Sequence, residues 1–266
     1  MTRYVLSFTI VLAGATAHAK LEIGNIHAAY GEVGPERKSL VYYPGDEILF
    51  RYMLTGVKTN DKGEVDIDIS FQVTDSEGKI LLDKNTPTKA IAALGGGCLP
   101  GSARATIGEA LKPGIYRFRV KAKDNLSGET ASFERDVTLN ATTFTSVSQR
   151  FFLDADGKVP SAAGGIVGQS LHYRVGLIGF DRSKSRIETH MDVEILDKDG
   201  KEILTRPLQA TYKNEEADSA KQTSLVNFSG FFALNRVGTF TLRFSFKDQI
   251  GAQTARFEVP LHVTEP

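Results

Sequence analysis

One stretch of this chain occurs twice and decides the fold. Residues 45–54 read GDEILFRYML, and residues 168–177 read GQSLHYRVGL. In the first stretch, apolar residues occupy every second position from Ile48 to Leu54. A period of two is typical of a β-strand with one buried face. The two stretches therefore predict one such strand in each half of a duplicated chain.

The repeat extends outward over most of both halves at an offset of about 123 residues. The matching segments keep their order: 75–79 with 197–201, 114–119 with 238–243, and 130–134 with 254–258. Similarity at a fixed offset indicates a repeated structural unit. We predict a tandem duplication, with domains at residues 20–142 and 143–266. The alternative is chance similarity between two β-rich stretches.

Each half is predicted to be all-β. Apolar residues also alternate from Val65 to Val73 and from Tyr116 to Ala122, and no segment after residue 19 keeps a helical period. Aspartate and glycine at 75–78 and 197–200 indicate hairpin turns. Short strands and turns in units of about 100–120 residues are typical of an antiparallel β-sandwich of immunoglobulin or fibronectin-III type. The chain has no tryptophan and one cysteine, which excludes antibody-type domains.

The stretch 113–120, followed by Asp124, Gly128 and Thr130, resembles the closing hairpin of immunoglobulin-like domains in bacterial secreted and envelope proteins. The second half repeats it within residues 238–258. The resemblance implies two tandem immunoglobulin-like (fibronectin-III-like) β-sandwich domains. It implies nothing about active residues.

The N-terminus has the three parts of a secretory signal peptide. Arg3 precedes an apolar run from Tyr4 to Leu12, and small residues then end in Ala-His-Ala at residues 17–19. We predict a signal peptide at residues 1–19 and a secreted or periplasmic mature protein. The alternative, a membrane anchor, needs about 20 apolar residues. No later segment is that long, so we predict no transmembrane segment after cleavage.

Composition excludes several classes of function. The 266 residues are 41% hydrophobic and carry 32 basic and 32 acidic side chains. A nucleic-acid binder needs surplus cations to displace the counterions of phosphates, so we predict no nucleic-acid partner. The single cysteine excludes an intrachain disulfide framework and a cysteine-rich zinc site.

Charged runs have structural explanations. If the last hairpin of the first half folds about residues 126–127, Arg119 lies opposite Glu134 and Arg117 lies opposite Asp136. The same fold in the second half places Arg243 opposite Glu258. Such cross-strand pairs stabilise a sheet by about 0.2–1 kcal/mol each. We therefore interpret the basic stripe of Arg117, Arg119, Lys121 and Lys123 as one side of paired charges. A ligand-binding stripe is the alternative.

The acidic clusters lack the geometry of a metal site. Glu64, Asp66 and Asp68 alternate along one strand, where such residues are about 6.6–7 Å apart, too far to converge on calcium. Residues 154–157 resemble the front of a calcium loop but lack the later ligands, so we predict a turn. The histidines lack zinc-site spacing. No nucleophile elbow or phosphate loop occurs. We predict no enzyme activity, no catalytic, cofactor-binding or metal-binding residues and no cofactor.

Cys98 lies in a glycine-rich segment that we interpret as a flexible loop with an unpaired thiol. The segments 85–106 and 208–224, where the halves diverge, are predicted loops for partner contact. We therefore predict a non-catalytic extracytoplasmic binding or structural module. It would bind another envelope or extracellular protein through loops or strand edges. The alternatives are a periplasmic chaperone-like protein, a carbohydrate-binding protein or an enzyme. The sequence leaves the partner's identity and the oligomeric state open.

Overall fold

The computed structural model of the protein describes residues 20–266, so the signal peptide predicted at residues 1–19 lies outside the described residues. The described chain forms strands and one short helix. In chain order they are β1 (Glu22–Ala28), β2 (Val41–Tyr42), β3 (Glu47–Thr55), β4 (Glu64–Thr74), β5 (Ile80–Ile91), β6 (Leu99–Thr106), β7 (Gly114–Asp124), β8 (Thr130–Leu139), β9 (Thr145–Phe152), β10 (Pro160–Ser161), β11 (Gly164–Ile166), β12 (Ser170–Ile178), β13 (Ile187–Leu196), β14 (Leu208–Asn214), α1 (Ala217–Gln222), β15 (Leu225–Ala233), β16 (Gly238–Asp248) and β17 (Thr254–Thr264).

The strands form four sheets. Strands β1 to β8 make a three-stranded sheet, β1-β3-β6, and a five-stranded sheet, β2-β8-β7-β4-β5. Strands β9 to β17 repeat this plan as β10-β9-β12-β15 and β11-β17-β16-β13-β14. The ladders are antiparallel apart from β2 with β8 and β11 with β17. The prediction of an all-β fold is confirmed, and the division at residues 142 and 143 stays a prediction.

Buried side chains form two hydrophobic clusters, and facing sheets supply each of them. In the first cluster, Phe50 of β3 lies 5.2 Å from Phe118 of β7, measured between ring centroids. In the second cluster, Tyr173 of β12 lies 5.1 Å from Phe244 of β16. Alternate residues of these strands point between two sheets, which is the packing of a β-sandwich.

The two halves share local devices as well as topology. Ile107, just after β6, makes two backbone hydrogen bonds of 2.9 Å with the turn at residues 45–46. Leu234, just after β15, makes the same two bonds, of 2.8 Å, with the turn at residues 168–169. Ile107 and Leu234 are therefore equivalent positions, which fixes the correspondence between β6 and β15 residue by residue.

A fully buried aspartate closes the last hairpin of each half. Asp124 accepts the backbone N–H of Lys58 at 2.8 Å and that of the hairpin residue two positions later at 2.9 Å. Asp248 accepts the N–H of Asp181 at 2.7 Å and that of the corresponding hairpin residue at 2.9 Å. Each carboxylate thus ties the closing hairpin to the loop between the two strands that face each other across the core.

The first half also has a tyrosine corner. The hydroxyl of Tyr116, near the start of β7, donates to the carbonyl oxygen of Lys112 at 2.6 Å. This bond is a hallmark of immunoglobulin-like sandwiches. Phe240 occupies the matching place near the start of β16 and has no hydroxyl.

The prediction of loops at 85–106 and 208–224 is wrong over most of their length. The first segment lies largely in β5 and β6, with a loop only at residues 92–98, and the second contains β14 and α1. The physical reason is exposure. The five-stranded sheet extends beyond the three-stranded sheet that faces it, so β5 is exposed along most of its length. A strand that buries neither face shows no hydrophobic alternation.

Candidate functional site

The predicted cross-strand ion pairs are confirmed. Arg117 contacts Asp136 at 2.8 Å, Arg119 contacts Glu134, and the register of β7 with β8 places both pairs directly opposite each other. In the second half Arg243 contacts Glu258 at 2.7 Å. The hydrogen bond from Arg117 lowers the pKa of Asp136. The two arginines of the basic stripe are therefore neutralised by their own hairpin, whereas Lys121 and Lys123 lie opposite Ser132 and Thr130.

The acidic stripe on β4 is also partnered. Asp66 accepts a hydrogen bond from the side chain of Asn125 at 2.9 Å and lies 3.7 Å from Lys89. Asp68 lies opposite Lys123 in the register of β4 with β7. The acidic strand β4 and the basic strand β7 are neighbours, and the carboxylates do not converge.

The candidate calcium loop is a turn. Asp154 accepts the backbone N–H of Lys158 at 3.0 Å and that of Val159 at 2.7 Å, and these bonds lower the pKa of Asp154. His190 lies on β13 and contacts Thr211 and Asp192. Across residues 20–266 no three histidine, cysteine or acidic side chains are placed to hold a metal ion.

Cys98 lies at the end of the loop between β5 and β6, and its thiol is free and exposed. The fully exposed side chain of Leu94 belongs to the same loop. Within the described part of the chain, no helix has the length and apolar character needed to cross a membrane.

The two halves meet at a buried ion pair that the sequence did not reveal. The guanidinium of Arg37 contacts the carboxylate of Asp46 at 2.7 Å and lies 4.0 Å from the ring centre of Tyr42. Burial alone would lower the pKa of Arg37, but the charge and hydrogen bond of Asp46 outweigh it and raise that pKa. Asp46 also accepts the backbone N–H of Ser148 at 3.2 Å, and Ser148 donates its hydroxyl to Gly45 at 2.8 Å. This set of contacts joins the β2–β3 turn of the first half to β9 of the second.

A cleft of about 140 Å³ lies beside this junction. Its charged groups are already paired: Glu32 with Arg104 at 2.9 Å and Glu47 with Arg150 at 3.1 Å. The cleft is therefore bordered by ion pairs, one of which, Glu47 with Arg150, joins the two halves.

The free edges of the sheets are the remaining candidates. Along an antiparallel strand, the backbone groups of alternate residues point to opposite sides. Since Ile107 and Leu234 bond inward to their own sheets, the residues at even spacing from them do the same. Residues 100, 102, 104 and 106 of β6 therefore point their N–H and C=O groups to the free edge, as do residues 225, 227, 229, 231 and 233 of β15.

The β6 edge is guarded, and the β15 edge is not. The free side of β6 carries Pro100, which has no N–H to donate, and the charged Arg104. Counting back from Ile107 and Leu234, the equivalent residues of β15 are Asn227 and Phe231. Strand β15 reads LVNFSGFFA and contains no proline and no charged residue over nine residues. Proline and charge are the usual protections of an exposed strand edge.

The long edge of β5 is guarded as well. Ala92 bonds inward to Gly63 at 2.8 Å, so residues at odd spacing from Ala92 face outward. Those residues include Pro87 and Lys89. At the far end, a shift of register near Leu82 interrupts the ladder with β4. Strand addition along β5 is therefore blocked near its centre.

An apolar groove of about 290 Å³ lies next to the open edge of β15. It lies at the end of β15, where its lining comes from β14, the loop before β14, and the ends of β13, β16 and β17, and the exposed Arg236 stands at its rim. Phe231, on the outer face of the same strand, is 63% exposed and stacks on His172 at 5.3 Å between ring centroids. The apolar side chains that line the groove include Ile203, Leu204, Leu208, Phe232 and Phe240.

Comparisons with known proteins give no family. No family model matches the chain, and no curated protein matches it in sequence. Among solved structures, red sea bream transglutaminase matches with a TM-score of 0.30 and 9% identity over 93% of this chain, which spans only 32% of that chain. The C-terminal domain of the Streptococcus agalactiae AgI/II polypeptide BspA matches with a TM-score of 0.30 and 12% identity over 91% of this chain and 99% of that one. A mutant of the BspA C-terminal region gives 0.29 and 11% over 92% and 98%.

Sequence reasoning missed the buried pair of Arg37 with Asp46 and the unguarded edge of β15. The β15 edge carries no motif, because its character lies in the absence of charge and proline. A signal was nevertheless present, since residues 99–106 and 225–233 differ in those residue types. Strands β6 and β15 can be compared residue by residue only when the inward backbone bonds of Ile107 and Leu234 show which positions correspond.

Proposed function

We propose that this protein is a non-catalytic extracytoplasmic module that binds another protein by strand addition at the edge of β15. In this proposal a signal peptide at residues 1–19 directs export. Two immunoglobulin-like β-sandwich domains, residues 20–142 and 143–266, then form the mature protein. The open β15 edge is the observation that carries the proposal.

Strand addition needs a row of unpaired backbone donors and acceptors with room beside it. The outward residues of β15 supply such a row, and neither a proline ring nor a charged side chain interrupts it. The equivalent edge of the first half carries both kinds of guard, at Pro100 and Arg104. The same strand position is thus closed in one half and open in the other, which favours a binding role for the open one.

The contacts between the two halves would hold the β15 edge in a fixed position relative to the first half. The bonds of Ser148 to Asp46 and Gly45, and the ion pair of Arg150 with Glu47, hold the second half against the first. A fixed arrangement reduces the conformational entropy that binding would otherwise cost.

A display selection tests the proposal. Residues 20–266 are immobilised and panned against a library of random extended peptides, and the selected peptides are then measured on the Ser229→Lys variant. Ser229 is an outward residue in the middle of β15, so a lysine there guards the edge without removing a bond to β12. We expect selected peptides to lose at least about tenfold in affinity, because several ladder hydrogen bonds of about 0.5–1.5 kcal/mol each are disrupted.

The matched control is Ser102→Lys, the equivalent position on the guarded β6 edge. It adds the same charge to the same fold and is expected to leave binding unchanged. Peptides that bind equally to both variants, or a library that yields no binder, contradict the proposal. Circular dichroism and thermal melting of each variant establish that the fold is retained.

A further inference from the structure

We propose, on the basis of the proposed function, that the partner segment is an extended strand with apolar side chains at alternate positions and a carboxylate at the end beside Arg236. The groove at the end of β15 specifies the apolar positions. Arg236 at the rim of the groove specifies the negative charge at one end of the partner segment.

The apolar requirement follows from strand geometry. A strand added beside β15 continues that sheet, so every second side chain points to the same face as the buried Val226 and Phe228. Beyond β15 that face opens onto the groove lined by Leu208 and Phe232 rather than onto the packed core. Apolar side chains of the partner would fill the groove and remove these surfaces from water.

The helix α1 limits how far the added strand can extend. Its Ala220 is fully buried in the second hydrophobic cluster, and α1 leads directly into the start of β15. The helix therefore packs against β14 beside the start of β15. The groove begins at the other end, next to residues 232–234, so pairing is expected along residues 227–233.

The charge requirement follows from Arg236. Its side chain is exposed and its guanidinium lies 5.1 Å from the ring centre of Phe240. Among residues 20–266 no carboxylate lies within ion-pair distance of Arg236, whereas Arg150 and Arg243 each have an acidic partner. A cation held over an aromatic ring at the rim of an apolar groove is complementary to a carboxylate.

A second copy of this chain is the competing occupant. If two β15 edges paired around a two-fold axis, the inward side chains of the added strand would be Val226 and Phe228 of the other copy. These side chains are already buried in their own sandwich, so the groove would stay empty and Arg236 would stay unpaired. The groove and the charge therefore favour a separate extended segment.

Two synthetic peptides test the inference. Each has nine residues that alternate valine and threonine, with a blocked N-terminus. One begins with glutamate and the other with lysine, because antiparallel pairing places the peptide's N-terminal end beside Arg236. Fluorescence anisotropy measures their affinity for residues 20–266. We expect the glutamate peptide to bind about threefold to tenfold more tightly at low salt, and Arg236→Glu to reverse this preference.

The groove is tested with a matched pair of leucines. Leu208→Ser is expected to weaken both peptides about tenfold, since it removes apolar surface that the peptide would cover. Leu82 on β5 has almost the same exposure, 36% against 37%, and Leu82→Ser is expected to have no effect.

Three outcomes overturn the inference in distinguishable ways. If the Arg236 and Leu208 variants bind both peptides like the wild type, the partner chemistry is wrong while strand addition can stand. If backbone N-methylated peptides bind as well as the parent peptides, or if neither peptide binds at millimolar concentration, strand addition of this chemistry is wrong. If the protein is a dimer that Ser229→Lys makes monomeric, the occupant is a second copy.

Discussion

Removing the carboxylate of Asp46 should destabilise the protein more than any exposed charge change. Its ion pair with Arg37 is buried, with side-chain exposures of 3% and 8%. Leaving one member of a buried pair without the other costs about 3–5 kcal/mol. Arg37 would keep its hydrogen bonds to two backbone carbonyls and its contact with Tyr42, which places the cost near the lower end. We therefore expect Asp46→Ala to lower the free energy of unfolding by about 3 kcal/mol.

Urea unfolding of residues 20–266, followed by circular dichroism, measures this loss. Two further variants make the result specific. Glu32→Ala breaks the exposed pair with Arg104 and should cost less than about 1 kcal/mol. The double variant Arg37→Met, Asp46→Leu replaces both buried charges and should be more stable than Asp46→Ala, because neither charge is left alone. If Asp46→Ala costs no more than Glu32→Ala, the assignment of a stabilising buried pair at the junction is wrong.

Three further predictions concern single buried groups. Burial, partly opposed by the charge of Arg37, raises the pKa of Tyr42 from 10.0 to about 12, so the contribution of this shift to stability is full below pH 10 and is lost as the pH rises towards 12. The hydroxyl of Tyr42 is buried and has no hydrogen-bond partner among the described residues. Tyr42→Phe should therefore keep the free energy of unfolding at pH 7 within about 1 kcal/mol of the wild type and reduce its loss at alkaline pH, measured by urea titration. Asp124→Ala leaves buried N–H groups unbonded and should cost about 3 kcal/mol by the same assay. Gly179→Ala should lower the melting temperature, since φ at this glycine is +70° and the added Cβ would lie 2.2 Å from a backbone oxygen. Gly200→Ala is the control for conformational strain without a clash, because φ there is +79° and no atom lies near the added Cβ.

The sequence predicted the strands that bury one face and the pairs that cross them. Alternation from Ile48 to Leu54 and from Tyr116 to Ala122 corresponds to β3 and β7. The position of the hairpin turn then placed Arg119 opposite Glu134. These features are local, because the alternation and the turn residues lie within a few positions of each other.

Features that depend on contacts between facing elements could not be predicted from the sequence. Strand β5 shows no alternation because the opposing sheet does not cover it. The contact of Asp46 with Ser148 depends on how β9 packs against the β2–β3 turn. A clue existed, since Gln169 stands where the first half has Asp46, but a difference between copies does not identify the partner of either residue.

Duplication provides a control for interpreting the β15 edge. The first half demonstrates that this scaffold accommodates a proline at position 100 and a charge at position 104 on the outward side of the same strand. The absence of both kinds of guard from β15 is therefore not required by the packing of the sandwich, because neither side chain would enter the core or remove a bond to β12. An uncharged nine-residue edge carries a risk of unwanted pairing, and nothing in the fold compels that risk. In our proposal a partner strand occupies this edge, and the groove beside Arg236 sets which strand would fit.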